Sequence, residues 1–163
     1  MSPYTLRRLS PADRGIVVAL LEREWGGVDV MALSLGGLVD ASDLPGWLAV
    51  ADDGEVAGLL TYRTGVDVID IVTINAFAGG GVGAALVAAL VEEVRDTARR
   101  LRVTTTNDNT RALRFYQRAG FRLTALRAGA VEESRKTKPG IPELGHDDIP
   151  IRDELELEMK LSR

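Results

Sequence analysis

A run of β-branched residues that breaks into glycines and reopens as an apolar helix constrains this chain more than any other feature. Val66, Val68, Ile69, Ile71, Val72, Thr73 and Ile74 predict a well-buried central strand over residues 66–74. The glycine loop Ala78-Gly79-Gly80-Gly81-Val82-Gly83-Ala84-Ala85-Leu86 follows. Beyond it Leu86, Val87, Leu90, Val91 and Val94 recur at helical spacing, which predicts the longest helix over residues 82–100. A central strand that leads through a glycine loop into a helix and a further strand fits an α/β domain.

The flanking segments fit the same architecture. Residues 4–9 read as a first strand, and Ser10-Pro11 as an N-cap followed by proline in the first helical turn. Ile16, Val17, Leu20 and Leu21 carry that helix to Trp25, where Gly26-Gly27 stops it. A second helix is expected over residues 28–39. Asp52-Asp53-Gly54 between the apolar runs 47–51 and 55–62 reads as a hairpin turn. Residues 102–106 predict a strand, 110–118 a short helix ended by Gly120, and 121–126 another strand. Residues 154–161 alternate charged and apolar side chains, so one face of this last strand is expected to be buried and the other wet. The stretch of about 127–153 is too long for a hairpin turn and reads as a structured insertion with a helix near 131–137. The expectation is a single α/β (α+β) domain over residues 1–163 with a mixed, mostly antiparallel sheet.

Composition narrows the function. At 163 residues with 45% hydrophobic and 27% charged side chains, the chain is long enough for one hydrophobic core. The net charge of −4 argues against nucleic acid as a partner and mildly favours a cationic one. With no cysteine, neither a disulfide framework nor a thiolate nucleophile is available. The single histidine, His146, speaks against a histidine metal cluster, so no metal is expected. No apolar run approaches the length of a membrane span and no leader stands out, so no membrane role and a cytoplasmic location are expected.

The glycine loop has a chemistry of its own. The first amides of a helix lack intrahelical partners and lie at the positive end of its dipole, and glycines let an anion approach the main chain. Tight packing of the helix on a strand is the plainer explanation of the same glycines. A P-loop is excluded, because no Lys-Ser or Lys-Thr follows. Gly79, Gly81 and Ala84 match the G-x-G-x-x-A form of a dinucleotide site, but the acidic residue expected at the end of the next strand is missing, and Asp108 comes late.

A second segment is the more specific: Asn109, Ala112, Tyr116, Gly120 and Phe121 fall on the pattern Asn-x-x-Ala-x-x-x-Tyr-x-x-x-Gly-Phe. Together with the loop over 78–83, this resembles the GNAT acetyltransferase superfamily, whose pyrophosphate signature is [Gln/Arg]-x-x-Gly-x-[Gly/Ala]. The resemblance extends over nearly the whole chain. It implies helices on both faces of the sheet, a splay between the two central strands, and acetyl-CoA as acyl donor. It further implies that Asn75, Ala76 and Phe77 hold the pantetheine arm through the main chain. Gly79, Gly80, Gly81, Val82, Gly83 and Ala84 would take the pyrophosphate, with Asn109 a further polar contact. Ala78 stands where the signature begins with Gln or Arg, so phosphate binding would rest on main-chain donors, with Arg111 or Arg114 assisting.

The reaction implied is acetyl transfer to a primary amine of a small molecule or peptide by direct attack. An amine must lose a proton and the departing thiolate must gain one. Tyr116, at the cofactor, is the candidate proton donor, or else a core tyrosine. Asp70 is the candidate base, or else a paired carboxylate. Trp25 and Trp47 line an acceptor pocket or belong to the core, and Glu22, Glu24 and Asp67 are expected to be solvated. A noncatalytic acyl-CoA sensor and, at further remove, an NAD-dependent oxidoreductase are the competing functions. Exposed strand edges leave a homodimer open.

Overall fold

The computed structural model describes residues 3–77 and 79–162; Ala78, the departure from the phosphate signature, lies outside them. In chain order the elements are β1 (Tyr4–Arg8), α1 (Arg14–Trp25), β2 (Asp29–Ala32), β3 (Gly37–Asp40), β4 (Gly46–Ala51), β5 (Val56–Thr64), β6 (Val68–Ala76), α2 (Val82–Val94), β7 (Arg100–Thr106), α3 (Thr110–Ala119), β8 (Arg122–Arg127), α4 (Ala130–Thr137) and β9 (Glu154–Lys160). This is a mixed α/β fold in which β1 pairs with β4, β4 with β5, β5 with β6 and β8 with β9, each pair antiparallel. Two compact units are distinguishable: Met1–Val30 with Asp40–Leu101 and Leu161–Arg163, and Met31–Val39 with Arg102–Lys160.

In the first unit the strands run in the order β1-β4-β5-β6. Asp52-Asp53-Gly54 makes the predicted turn between β4 and β5, with the Gly54 N–H donating to the Ala51 carbonyl at 2.9 Å. Strand β6 is buried from Val68 through Thr73, as its β-branched run requires. Between the pairs Thr61↔Thr73 and Tyr62↔Ile71 the register shifts by one residue, leaving Val72 as a bulge. Helix α2 buries Val82, Leu86, Val87, Leu90 and Val94 against this sheet, each worth about 1.5–3 kcal/mol of transfer free energy. Gly58 of β5 permits the close approach, since a β-carbon there would stand 2.6 Å from Val82 Cγ1 and 2.9 Å from the Asn75 carbonyl oxygen. The start of α2, and with it the glycine loop, is thereby pinned to the sheet.

The other end of α2 is fastened through Glu93. Its Oε2 accepts from Trp47 Nε1 at 2.7 Å, and its Oε1 from the Tyr62 hydroxyl at 3.0 Å and from Arg8 Nη2 at 3.1 Å. Burial, followed by the hydrogen bond to Glu93, pushes the Tyr62 hydroxyl up to about 12. Trp47 is thus part of the packing between helix and sheet.

In the second unit the order is β7-β9-β8. Asn109 caps α3, its Oδ1 accepting from the Ala112 N–H at 3.1 Å, and Gly120 ends the helix at φ 106°. The 127–153 stretch is held down at several points. Arg135 Nη2 donates to the carbonyls of Pro142 (2.7 Å) and Ile151 (2.8 Å). Asn107 Oδ1 accepts from the Arg152 and Asp153 amides, and buried Asp108 accepts from the His146 amide. His146 itself is exposed.

Two expectations are overturned. Residues 28–39 form no α-helix: β2, a 3-10 turn over Leu33–Leu35 and β3 occupy them, with Gly36 and Gly37 at positive φ. The charged face of β9 is not wet. Glu154 is 2% exposed and Glu156 7%, because β9 lies between β7 and β8 and its carboxylates have partners. Glu154 accepts the Leu33 and Ser34 amides, which start the 3-10 turn, at 2.9 and 3.3 Å. Glu156 accepts Arg127 Nη2 at 3.0 Å and lies 3.9 Å from Arg102 Nε. The long helix also ends earlier than its pattern suggests, at Val94, where the Thr97 and Ala98 amides both turn back to the Val94 carbonyl.

Candidate active site

The glycine loop joins the end of β6 to the start of α2 within the first unit. Gly80 and Gly81 adopt left-handed backbone, at φ 79° and 77°, and Gly81 is the N-cap of α2. The first intrahelical bond runs from the Ala85 N–H to the Gly81 carbonyl at 2.9 Å. The amides of Val82, Gly83 and Ala84 therefore precede the hydrogen-bonded ladder and have no partner among the described residues. Around Gly79, Gly80 and Gly81, a β-carbon would meet nothing within 4 Å. Three amides without a partner among the described residues, the positive end of a 13-residue helix and open space beside a bare main chain fit an anion such as a diphosphate. The plainer explanation of the glycines, close helix packing, holds for Gly58 rather than for Gly79 to Gly81.

Side chains from elsewhere in the unit surround this turn. The Tyr4 hydroxyl donates to the Gly80 carbonyl at 3.3 Å. The end of α1 meets the end of β6: Trp25 Nε1 donates to Asn75 Oδ1 at 2.8 Å, and the Arg23 guanidinium carbon stands 5.1 Å from the centre of the Phe77 ring. Trp25 and Phe77 are both about one-third exposed, at 36% and 37%. Trp25 thus lies against the segment Asn75, Ala76 and Phe77 instead of being sealed in the core. Nothing in the spacing of the sequence joins Tyr4, Arg23 and Trp25 to the loop; only the pairing of β1 with β4 and the packing of α1 brings them there.

Asp70 lies six residues before Ala76 on the same strand, about 20 Å of extended chain away. It is 3% exposed and sits across the β5–β6 pair from Arg63, with Nη2 at 3.6 Å from its Oδ2. The bulge at Val72 separates it from the loop end of the strand.

Asn109 and Tyr116 belong to the second unit, at the start and on the buried side of α3. The cap occupies Asn109 Oδ1. Tyr116 packs edge-on between Phe115 and Phe121, with ring centres 5.4 and 5.6 Å away, and is 5% exposed. Burial pushes its hydroxyl well above the ordinary phenol range, so it carries its proton throughout the neutral region. Arg111 and Arg114 are exposed on the same helix.

Among the described residues no group of three or more His, Cys, Asp or Glu side chains is placed to hold a metal ion. No helix among them is long and apolar enough to cross a membrane.

Residues 19–121 match the family model described as acetyltransferase (GNAT) family. The uncharacterised protein YxbD of Bacillus subtilis (strain 168) is 37% identical over 150 residues, covering 91% of this chain and 93% of that one. Among solved structures, an IAA acetyltransferase from Bacillus cereus ATCC 14579 superposes with a TM-score of 0.68 at 21% identity, covering 97% of this chain and 99% of that one. A GNAT family acetyltransferase from Elizabethkingia anophelis with acetyl-CoA bound gives a TM-score of 0.66 at 19% identity, covering 99% and 100%.

Proposed function

Because the chain belongs to the acetyltransferase (GNAT) family, we propose that it transfers an acetyl group from acetyl-CoA to a primary amine of a small molecule or peptide. The observation that carries this reading is the glycine turn: the amides of Val82, Gly83 and Ala84, without a partner among the described residues, beside open space at Gly79 to Gly81. Bound there, acetyl-CoA supplies an activated thioester; everything else is the work of this chain.

Main-chain groups of Asn75, Ala76 and Phe77 hold the pantetheine arm, and the turn from Gly79 to Ala84 grips the diphosphate. Asn109, by its place in the family pattern, adds a polar contact. Tyr116 returns a proton to the departing thiolate; a raised phenol pKa keeps it protonated until that moment. Asp70, directly or through water, accepts the proton of the attacking amine. Arg63 Nη2 lies 3.6 Å from Asp70 Oδ2 and holds the carboxylate in place on the strand. No metal takes part in this scheme.

Two measurements test the reading. Thermal melting with CoA or with NAD(H) separates a thioester carrier from a dinucleotide, since a ligand that binds only the folded chain raises its apparent stability. Incubation with acetyl-CoA and a panel of primary amines, followed by thiol release, then tests transfer. Stabilisation by NAD(H) but not CoA refutes the proposal, and tight CoA binding with no thiol release across the panel identifies a sensor instead.

A further inference from the structure

We propose that Arg23, at the end of α1, supplies the positive charge to the CoA diphosphate that the loop itself lacks. This rests on the reading that the turn beginning at Gly79 holds the diphosphate. The family signature opens with Gln or Arg, but position 78 of this chain is alanine, so the loop has no cation or amide side chain of its own there. A diphosphate bound by main-chain amides alone retains charge that a guanidinium pairs with well, since its planar fork matches phosphate oxygens.

Three observations single out Arg23. Its guanidinium carbon stands 5.1 Å from the centre of the Phe77 ring, which places the cation at the residue where β6 gives way to the loop. Its side chain is 62% exposed, so the charge faces solvent rather than a buried partner. Its protein hydrogen bond among the described residues is made by Nε, to Glu24 Oε1 at 2.8 Å, which leaves both terminal nitrogens free to donate. Glu24 and the Phe77 ring thus fix the stem and the plane of the guanidinium while its donating edge stays open.

The test is calorimetric, with CoA and dephospho-CoA as probes, on the wild type, Arg23→Met and Arg23→Lys. Methionine keeps an unbranched apolar stem against Phe77 and removes the charge, and because the site is exposed the variants are expected to melt with the wild type. Loss of charge-assisted hydrogen bonds should weaken both probes equally, by about ten- to hundredfold, for Arg23→Met. Arg23→Lys should recover part of that loss, and the wild type should lose affinity with added salt more steeply than Arg23→Met.

Equal affinity of wild type and Arg23→Met for both probes overturns the proposal. So does a loss confined to CoA, which would assign Arg23 to the 3′-phosphate, and so does a loss of amine affinity with CoA affinity intact. If the wild type binds neither probe, it is the cofactor reading that fails. A wild type that binds both with Arg23→Met unimpaired leaves that reading standing and refutes only the role of Arg23.

Discussion

Alanine in place of glycine should have opposite effects at Gly81 and Gly15, and the backbone decides the sign. A β-carbon would meet nothing within 4 Å at either position, so contacts do not distinguish them. Gly81, however, sits at φ 77° as the N-cap of α2, whereas Gly15 lies in the first turn of α1 without a left-handed backbone. A left-handed alanine costs about 1–2 kcal/mol, and its smaller freedom in the unfolded chain returns a fraction of that, leaving a net loss of about 1 kcal/mol. For a chain of this length that lowers Tm by about 2–4 °C. Gly15→Ala should instead stabilise by about 0.5–1 kcal/mol. The same scans repeated with CoA measure the site. At a ligand concentration of about 100 Kd, binding contributes about 2.7 kcal/mol, which corresponds to a rise of about 5–11 °C. Gly81→Ala should forfeit much of that rise, because the first amides of α2 no longer converge, and Gly15→Ala should keep it. A Gly81→Ala protein that melts with the wild type and gains the same stabilisation from CoA would refute both the strain and the cradle.

Tyr116→Phe should leave CoA affinity unchanged and lower the turnover number by about 10²–10⁴-fold, as removal of a general acid does; unchanged turnover would return Tyr116 to the core. Asp13, 4% exposed and gripped by both terminal nitrogens of Arg7 at 2.7 Å and by the Ser10 amide, is held well below the usual carboxylate range, with the Arg7 hydrogen bonds the largest cause. Its contribution is therefore complete above the unfolded carboxylate value near 3.8 and is lost as pH falls below it; Asp13→Asn should flatten the acid limb of a stability–pH profile, and an unaltered limb would count against the pairing. Glu154→Ala would leave the Leu33 and Ser34 amides without their acceptor and should cost about 1–3 kcal/mol, read as a lower urea midpoint, with Glu154→Gln losing less; equal loss from both would show that charge matters and the acceptor does not.

Much of the fold was legible because local signals agreed with one another. The β-branched run of β6, the Asp52-Asp53-Gly54 turn and the glycine stop at Gly120 each predict an element that is present. The helix expected over 28–39 does not form, because a partner distant in sequence decides the path of this stretch. Its local path is set by Glu154, more than a hundred residues away, which satisfies the amides at the head of the 3-10 turn. No window of sequence contains that interaction. The alternation in β9 does mark a strand, but its charged face is buried for the same reason. Period two shows which side chains share a face, not what covers that face, and here Arg102, Arg127 and Thr124 cover it.

The candidate site divides along the same line. Its main-chain part is contiguous in sequence, from Asn75 to Ala84, so the glycines alone make it visible. Its side-chain part is assembled by topology: Tyr4 reaches Gly80 across 76 positions, and Trp25 reaches Asn75 across 50. Such groups carry no mark in a single sequence, since an exposed arginine near the end of a helix reads as an ordinary solvated charge. What singles out Arg23 for the proposed role is a coincidence of two absences and one contact: no cation at position 78, no partner for its terminal nitrogens among the described residues, and the Phe77 ring beneath it. A motif scored residue by residue records Ala78 as a defect. A charge scored by position in space is retained if another element delivers it, which is the role proposed for Arg23 at the end of α1.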